Sequence, residues 1–511
     1  MDLVRQLIGG LRGRWKIYTD EDFVDASNVV DVVAKAHGRH KFNAVQMQYL
    51  IDYERGNQPL QREKTIRPEI DIRVEDNIAN MIKEFKASYF WGQPSMIVQR
   101  SDVESPDSDS EVDGKAIAKL NSLMVNNVHV GYQDQKIADF VEIAGIGHRM
   151  IDIASRKDRS GLPFRYYTLD SRFTFIVYHN GIGEEPLVAV TYTKAHDKFK
   201  YTAYTAESRF DIEGGEIVSQ QANLLGMIPI VEYERAIDRM GCFERLISAL
   251  DALNIMVSDA TNDVAQHTQE IWWANDVSFE DPVTGQIKTP ESGQWICTFT
   301  GGEGNNPNIK PLSSTLDQPA TLTMINNERT HILEKAKVPI QYTSEGGGST
   351  GVAMDISSGW SAAEADALRQ QQLIEKAKRE ELELICRAIQ LAPSGVLPEN
   401  DILRNLRSID CDFHFNRRKN YDMAVKANTF ATYVSHGLHG RHALKEIDAF
   451  GDVEQVWNDS KDLIEAYQKA TFLNASKEQT EDDRIMQDSS DQASQSPIID
   501  GMNTDRNQVM T

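Results

Sequence analysis

From Phe243 the apolar residues fall at Phe243, Leu246, Leu250, Leu253, Val257, Ala260 and Val264. Their steps alternate between three and four, a heptad-like seam sustained for three repeats. A helix over 242–270 would run about 43 Å at ~1.5 Å per residue. The aromatic, β-prone EIWWANDVSF follows, then the turn DPVTGQ and a second strand, QWICTFT, before GGEGNNPN. A second helix then returns. Asp317 is placed to cap it, Pro319 lies in its first turn, and it must stop at Val338-Pro339. The pattern predicts two long helices flanking a small β excursion.

The rest of the chain reads as α+β and mainly helical. Helix-like spacing runs through KFNAVQMQYLIDYERG and VEDNIANMIKEFKASYFWG, the latter stopping at Gly92 and Pro94. SDVESPDSDSEVDG (101–114) is an acidic linker, and 115–155 is expected to be helical. FRYYTLDSRFTFIVYHNG, EPLVAVTYTK and KFKYTAYTAESRFDIEGGEIV are rich in Tyr, Phe, Val and Thr, with glycine turns, and read as a β region. SAAEADALRQQQLIEKAKREELELICRAIQ is a further long helix of strong helix formers. Residues 421–470 give two or three shorter helices broken at SHGLHGR and AFGD. From about 475 the composition turns polar and poor in large apolar residues, as in a disordered tail.

Composition narrows the function classes. The 511 residues are 40% hydrophobic and 26% charged, as in a globular chain with a sizeable core. No apolar run approaches the ~18 residues of a membrane span. The opening MDLVRQLIGGLRGRWKIYTD has only a short apolar patch, LIGGL, and does not read as a signal peptide. Cys242, Cys297, Cys386 and Cys411 lie far apart with no CxxC pair, which argues against a zinc site or a disulfide framework. The formal net charge of −23 lacks the basic surplus of a protein that grips nucleic acid by its phosphates. Any contact with nucleic acid is then expected to be local or non-adhesive.

Several motifs invite a catalytic reading and fail it. Gly346-x-Gly348-x-x-Gly351 has dinucleotide-turn spacing, but that turn works only after a buried strand and at the start of a helix. Here it follows a charged helix stopped by Pro339, with no GK[ST] and no lysine. Three successive glycines make it a flexible loop. His436, His439 and His442 are spaced for a metal, but Gly437 and Gly440 break any helix that would align them. The pairs Asp107/Asp109 and Asp410/Asp412 arise readily among 77 acidic residues. With no catalytic constellation and no implied cofactor, the chain reads as a non-enzyme. Trp272, Trp273 and Trp295 sit on the β excursion. They either fill its own core or bury against a neighbouring subunit or partner.

The order of these parts resembles the portal proteins of tailed double-stranded-DNA bacteriophages, in the branch typical of siphophages. YLIDYERGNQP (49–59) and NIANMIKEFKASYFWGQPSMIV (77–98) resemble early family phrases. In 225–263 the most specific match places Gly226, Pro229 and Tyr233 before a helix carrying Asp251, Asn254, Ser258 and Asn262-Asp263. GGSTGVAM (347–354) and SHGLHGRHALKEIDAFGDVEQ (435–455) are similar to later phrases. Two departures are an Arg-Ala pair after Glu-Tyr-Glu, where the family often has asparagine, and histidines in place of a Ser/Thr-rich turn. The resemblance spans about 40–470.

The resemblance implies a ring homo-oligomer, usually of twelve subunits, at one capsid vertex of the virion, assembled in the host cytoplasm. Double-stranded DNA would pass through its channel. Terminase, a head-completion or adaptor protein, and the major capsid and scaffolding proteins would be partners, with no membrane involved. It implies an N-terminal arm (1–40), a wing (41–241 and 359–420), a stem (242–270 and 313–338), a clip (271–312), a tunnel loop (339–358), a crown (421–470) and a tail (471–511). The tunnel loop would present Gln341, Tyr342, Thr343, Ser344, Glu345, Gly346, Gly347, Gly348, Ser349, Thr350 and Gly351 to the DNA. Carrying one glutamate and no cation, it would let DNA slide. The tryptophans would lie in the clip. The rival readings are a nucleotide-binding enzyme using the Gly-rich loop and a minor capsid scaffold without a channel.

Overall fold

The computed structural model describes residues 13–60, 68–100, 110–154, 162–195, 198–268, 271–277, 294–298, 307–311, 318–340, 359–415, 423–447 and, within 453–469, all but 454, 455, 458 and 468. The chain divides into two units. One comprises Met1–Ile97 and Ser108–Arg417, the other Val98–Asp107 and Arg418–Thr511.

The first unit begins with β1 (Ile17–Thr19) and α1 (Val29–Glu54). The helix is continuous across residue 40. Its apolar stripe of Val29, Val32, Val33 and Ala36 meets Phe175, Val177, Val188 and Val190 of a six-stranded sheet. That sheet runs β1-β5-β6-β7-β8-β9, with β5 (Thr174–His179), β6 (Pro186–Ala195), β7 (Lys198–Tyr204), β8 (Ser208–Glu213) and β9 (Glu216–Ala222). Strands β5 to β9 form an antiparallel meander, and β1 joins β5 in parallel. Gly214 and Gly215 both take positive φ, as a two-residue hairpin turn between β8 and β9 requires.

A second core lies where α7 (Trp360–Leu391) packs on a three-stranded sheet and on three shorter helices. The helices are α2 (Ile78–Trp91), α3 (Ser110–Leu123) and α4 (Val130–Ala144); α2 is capped by the Asn77 side chain, which accepts from Asn80 N. Between α2 and α3 comes β2 (Met96–Gln99). The sheet order is β10-β3-β4, with β3 (Ile146–Ile153), β4 (Phe164–Leu169) and β10 (Ile230–Glu234), antiparallel throughout. On α7 the buried residues Ile374, Ala377, Leu384, Ile385, Ala388 and Ile389 make one stripe at helical spacing.

Two sequence expectations are corrected here. The stretch 115–155 is not one helical region, because Gly145 ends α4 at φ +80 and the chain turns into β3. A Cβ at Gly145 would stand 2.3 Å from the Arg239 carbonyl oxygen, so only glycine fits. FRYYTLDSRFTFIVYHNG is two strands in different sheets, β4 and β5. They are separated by a 3₁₀ turn (Ser171–Phe173) whose Asp170 side chain accepts from Arg172 N at 2.9 Å.

The helix pair read from the seam is present as α5 (Ile247–Thr268), about 33 Å long, and α6 (Gln318–Lys335). Between them lies the small sheet β12-β11-β13, made of β11 (Ile271–Asn275), β12 (Gln294–Thr298) and β13 (Asn308–Pro311). After α7 comes β14 (Cys411–His414). In the second unit, α8 (Met423–Ser435) and α9 (Gly440–Ile447) are joined through Gly437 at φ +93.

Candidate functional site: a rooted helix pair, its terminal sheet and the ends of 341–358

The seam buries unevenly. Phe243, Leu246, Leu250 and Leu253 are buried with Ile332 and Leu333 of α6, with Ala336 just after it, and with Leu50, Ile51, Ile78 and Ile82 of α1 and α2. Toward the small sheet the burial fades: Val264 is 44% exposed, Leu322 56% and Met324 63%. One end of the pair is rooted in the core, and the other leaves its apolar residues open.

Along α5 the polar residues Asn254, Ser258 and Asn262 are buried on one face and hold an extended segment. Asp76 N donates to Asn254 Oδ1 at 2.8 Å, Val74 N to Ser258 Oγ at 3.0 Å and Ile72 N to Asn262 Oδ1 at 2.8 Å. Ser258 Oγ and Asn262 Nδ2 donate back to the carbonyls of Val74 (3.2 Å) and Ile72 (2.7 Å). The register follows from geometry. Four helical residues advance about 6.0 Å and two extended residues about 6.6 Å, so an i, i+4, i+8 ladder matches alternate residues of a strand. Arg329 of α6 pairs with Asp76, and Tyr53 OH donates to Asp251 Oδ1 at 2.9 Å. The residues that carried the sequence resemblance thus have structural work here, which the resemblance itself did not disclose.

In the small sheet, β11 pairs in parallel with β12, placing Trp272 opposite Trp295 and Trp273 opposite Ile296, and antiparallel with β13. Trp272 and Trp273, being successive strand residues, face opposite sides, and both are half-buried. Trp273 Nε1 donates to Thr298 Oγ1 at 2.9 Å, and Thr298 Oγ1 donates to Asn275 Oδ1 at 2.6 Å. The Trp295 side chain lies outside the described residues. Ile296 and Ile309 are exposed.

Gln341 through Gly351, the expected tunnel-loop residues, also lie outside the described residues, as does Asp317, the expected cap of α6. The two ends of 341–358 are described and lie together. Gly359 has φ +85, and a Cβ placed on it would be 3.7 Å from Pro339 Cα. Beside them Asp366 of α7 receives three cations. Lys86 Nζ lies 2.9 Å and Arg235 Nη2 3.1 Å from Oδ2, and Lys337 Nζ lies 3.0 Å from Oδ1. Burial opposes the Asp366 charge, but Lys86 and Arg235, with hydrogen bonds from Lys86 and Lys337, outweigh it. The carboxyl is held well below its usual range. Arg235 is itself fixed by Glu142, 2.9 Å from its Nε, and Gln370 Nε2 donates to the other Glu142 oxygen at 2.6 Å. Trp360 closes the cluster against Phe85 and Tyr89, with ring centroids 5.9 and 5.8 Å away. No sequence motif pointed to these residues.

In the second unit, the His439 ring lies 4.9 Å from Trp457 and 5.9 Å from His442, and His436 Nδ1 is 2.7 Å from the Thr432 carbonyl oxygen at the end of α8. Among the described residues, no group of three or more His, Cys, Asp or Glu is placed to hold a metal ion. None of the described helices is long and apolar enough to cross a membrane.

No curated protein matches the chain. The family described as phage portal protein, SPP1 Gp6-like, matches residues 39–438, well over half of the sequence and inclusive of both helices of the pair, the small sheet and α7. By that match the chain belongs to the phage portal protein family.

Proposed function

We propose that the chain is the subunit of a ring at one capsid vertex, the conduit for DNA packaging and ejection and a docking platform for the packaging motor and head-completion proteins. The observation that carries this reading is the helix pair, rooted in the core at one end and bearing a small sheet with half-buried tryptophans at the other, within a chain of the portal family. In this reading α5 and α6 are the stem, 271–312 the clip, 339–358 the tunnel loop and 421–470 the crown. The wing would be 41–241 with 359–420, and α1, which runs unbroken from Val29, would lead into it. The exposed residues Val264, Leu322 and Met324 would be covered by neighbouring subunits through a heterologous, ring-closing contact. The chain hydrolyses nothing; a formal charge of −23 per copy disfavours adhesion of DNA to the wall.

Negative-stain electron microscopy of the purified chain, with particle mass measured in parallel, tests the ring. Rings of about twelve subunits with an open centre are expected; a compact monomer that binds nucleotide would overturn the reading. Deleting Gly346–Gly348 is expected to leave ring assembly intact and impair packaging. Normal packaging by that deletion would sink the tunnel-loop assignment.

A further inference from the structure

Helix α6 ends in an unusual way. Val338 N donates to Leu333 O at 2.9 Å and Lys337 N to Glu334 O at 2.9 Å, the two bonds of a Schellman stop, with Lys337 at φ +55 in the left-handed position. Glycine is the residue that takes this position without strain, and a side chain there is disfavoured by the contact of its Cβ with the backbone. What the lysine side chain supplies is reach: its ammonium lies 3.0 Å from Asp366 Oδ1. Lys86 ties the same two places a second time, donating to Asp366 Oδ2 at 2.9 Å and to the Lys337 carbonyl oxygen at 3.3 Å. Asp366 stands in the second turn of α7, seven residues after Gly359, whose backbone adjoins Pro339. A single carboxylate therefore joins the chain that leaves α6 to the chain that begins α7.

We propose that Asp366 is the anchor that fixes the end of α6 to the start of α7, with Lys337 as its positioning residue, so that the anchor sets where the 341–358 segment departs and returns. This rests on the reading of that segment as the loop facing DNA. The arrangement has the form such an anchor needs. Lys86 and Arg235 are largely buried against Asp366, whereas Lys337 is 43% exposed and is the member of the trio that directly follows α6. A strained backbone at residue 337 held by a half-exposed ion pair is a joint that yields before the buried part of the cluster does.

The test uses the full chain and four variants. Lys337→Met keeps the left-handed strain and removes the ammonium, Lys337→Gly relieves the strain and removes the ammonium, and Lys337→Arg keeps a cation. Asp366→Asn removes the anchor but takes the carboxylate partner from buried Lys86, so the Lys337 variants carry the decision if it folds poorly. Two quantities are read: amide hydrogen exchange in peptides spanning 332–340 and 359–368, and nuclease-protected DNA in heads assembled with each variant. Lys337→Met and Lys337→Gly are expected to exchange about tenfold faster in both peptides and to package less DNA, with Lys337→Arg like the parent. Exchange in Lys337→Gly as slow as in the parent, or slower, makes residue 337 a helix stop only and overturns the proposal. Faster exchange with normal packaging also overturns it. If the Gly346–Gly348 deletion packages poorly in that case, the anchor inference alone has failed; if the deletion packages normally too, the loop reading has failed with it.

Discussion

The Asn262 side-chain amide takes both backbone polar groups of Ile72, accepting from its N–H at 2.8 Å and donating to its carbonyl at 2.7 Å. The pair is 190 residues apart in sequence, and it is the last rung of the ladder that begins at Asn254. Asn262→Ala leaves a part-buried donor and acceptor without partners, which is expected to destabilise the fold by about 1–3 kcal/mol. Ser258→Ala removes the equivalent two bonds to Val74 and is expected to cost about 1–2 kcal/mol. Urea unfolding should show lower midpoints with unchanged slopes, and hydrogen exchange should rise first at 70–77. An unaltered exchange rate there would mean that the ladder does not hold the segment.

Acid should loosen α1 from its sheet. His37 and His40 lie on the buried face of the helix. The His37 ring is 4.7 Å from those of Tyr192 and Phe199, and the His40 ring is 4.8 Å from Phe175. Burial pushes both down to about 4; nearby Lys41 adds to this for His37, and a bond to the Arg172 carbonyl only partly offsets it for His40. An unfolded histidine titrates near 6.5, so between about 4 and 6.5 the unfolded chain binds more protons than the folded one. Stability from these groups is complete above about pH 6.5 and falls as the pH drops toward 4. His40 alone should cost about 2 kcal/mol at pH 5 relative to pH 8. The check is the urea midpoint at the two pH values in the parent and in His40→Leu. The variant should lose less stability on acidification, and an equal loss in both would refute the assignment.

Sequence reading recovered what local periodicity encodes. The seam from Phe243 to Leu253 was visible because apolar residues at steps of three and four can face one way only on a helix. The meander was visible because β-branched and aromatic runs alternate with glycine turns such as Gly214-Gly215. Strand β3 was not, since buried His148 and Arg149 interrupt its apolar run, and their neighbours Glu232 and Glu381 lie far away in sequence. The cluster at Asp366 was invisible for the same reason. Lys86, Arg235, Lys337 and Asp366 come from four separate stretches of the chain, and each alone reads as an ordinary charge on a solvated face. The ladder lay between these cases. Small polar residues four apart on an otherwise apolar helix are a legible signal, but only the structure shows that an extended segment answers them.

Under α7 the fold depends on buried, paired charge. Arg149 of β3 donates to Asp134 Oδ1 at 2.8 Å and lies 3.5 Å from Glu381, while Lys378 donates to the same Asp134 oxygen at 3.1 Å. Tyr166 donates to Glu381 Oε1 at 2.6 Å, and Tyr233 to the other oxygen. All four charged side chains are buried, and they sum to zero. Burial opposes the charge on Asp134, yet Lys378 and Arg149 keep its carboxyl below the usual range. Removing one member leaves an uncompensated buried charge, so Lys378→Met and Asp134→Leu should each cost about 3–5 kcal/mol. Removing both together leaves Arg149 with Glu381, a neutral remainder. The double variant should therefore be less destabilised than the two single variants added, by about 1–3 kcal/mol in a double-mutant cycle read by urea unfolding. Strict additivity would show that Lys378 and Asp134 act independently and that their pairing does not help to hold α7 to α4.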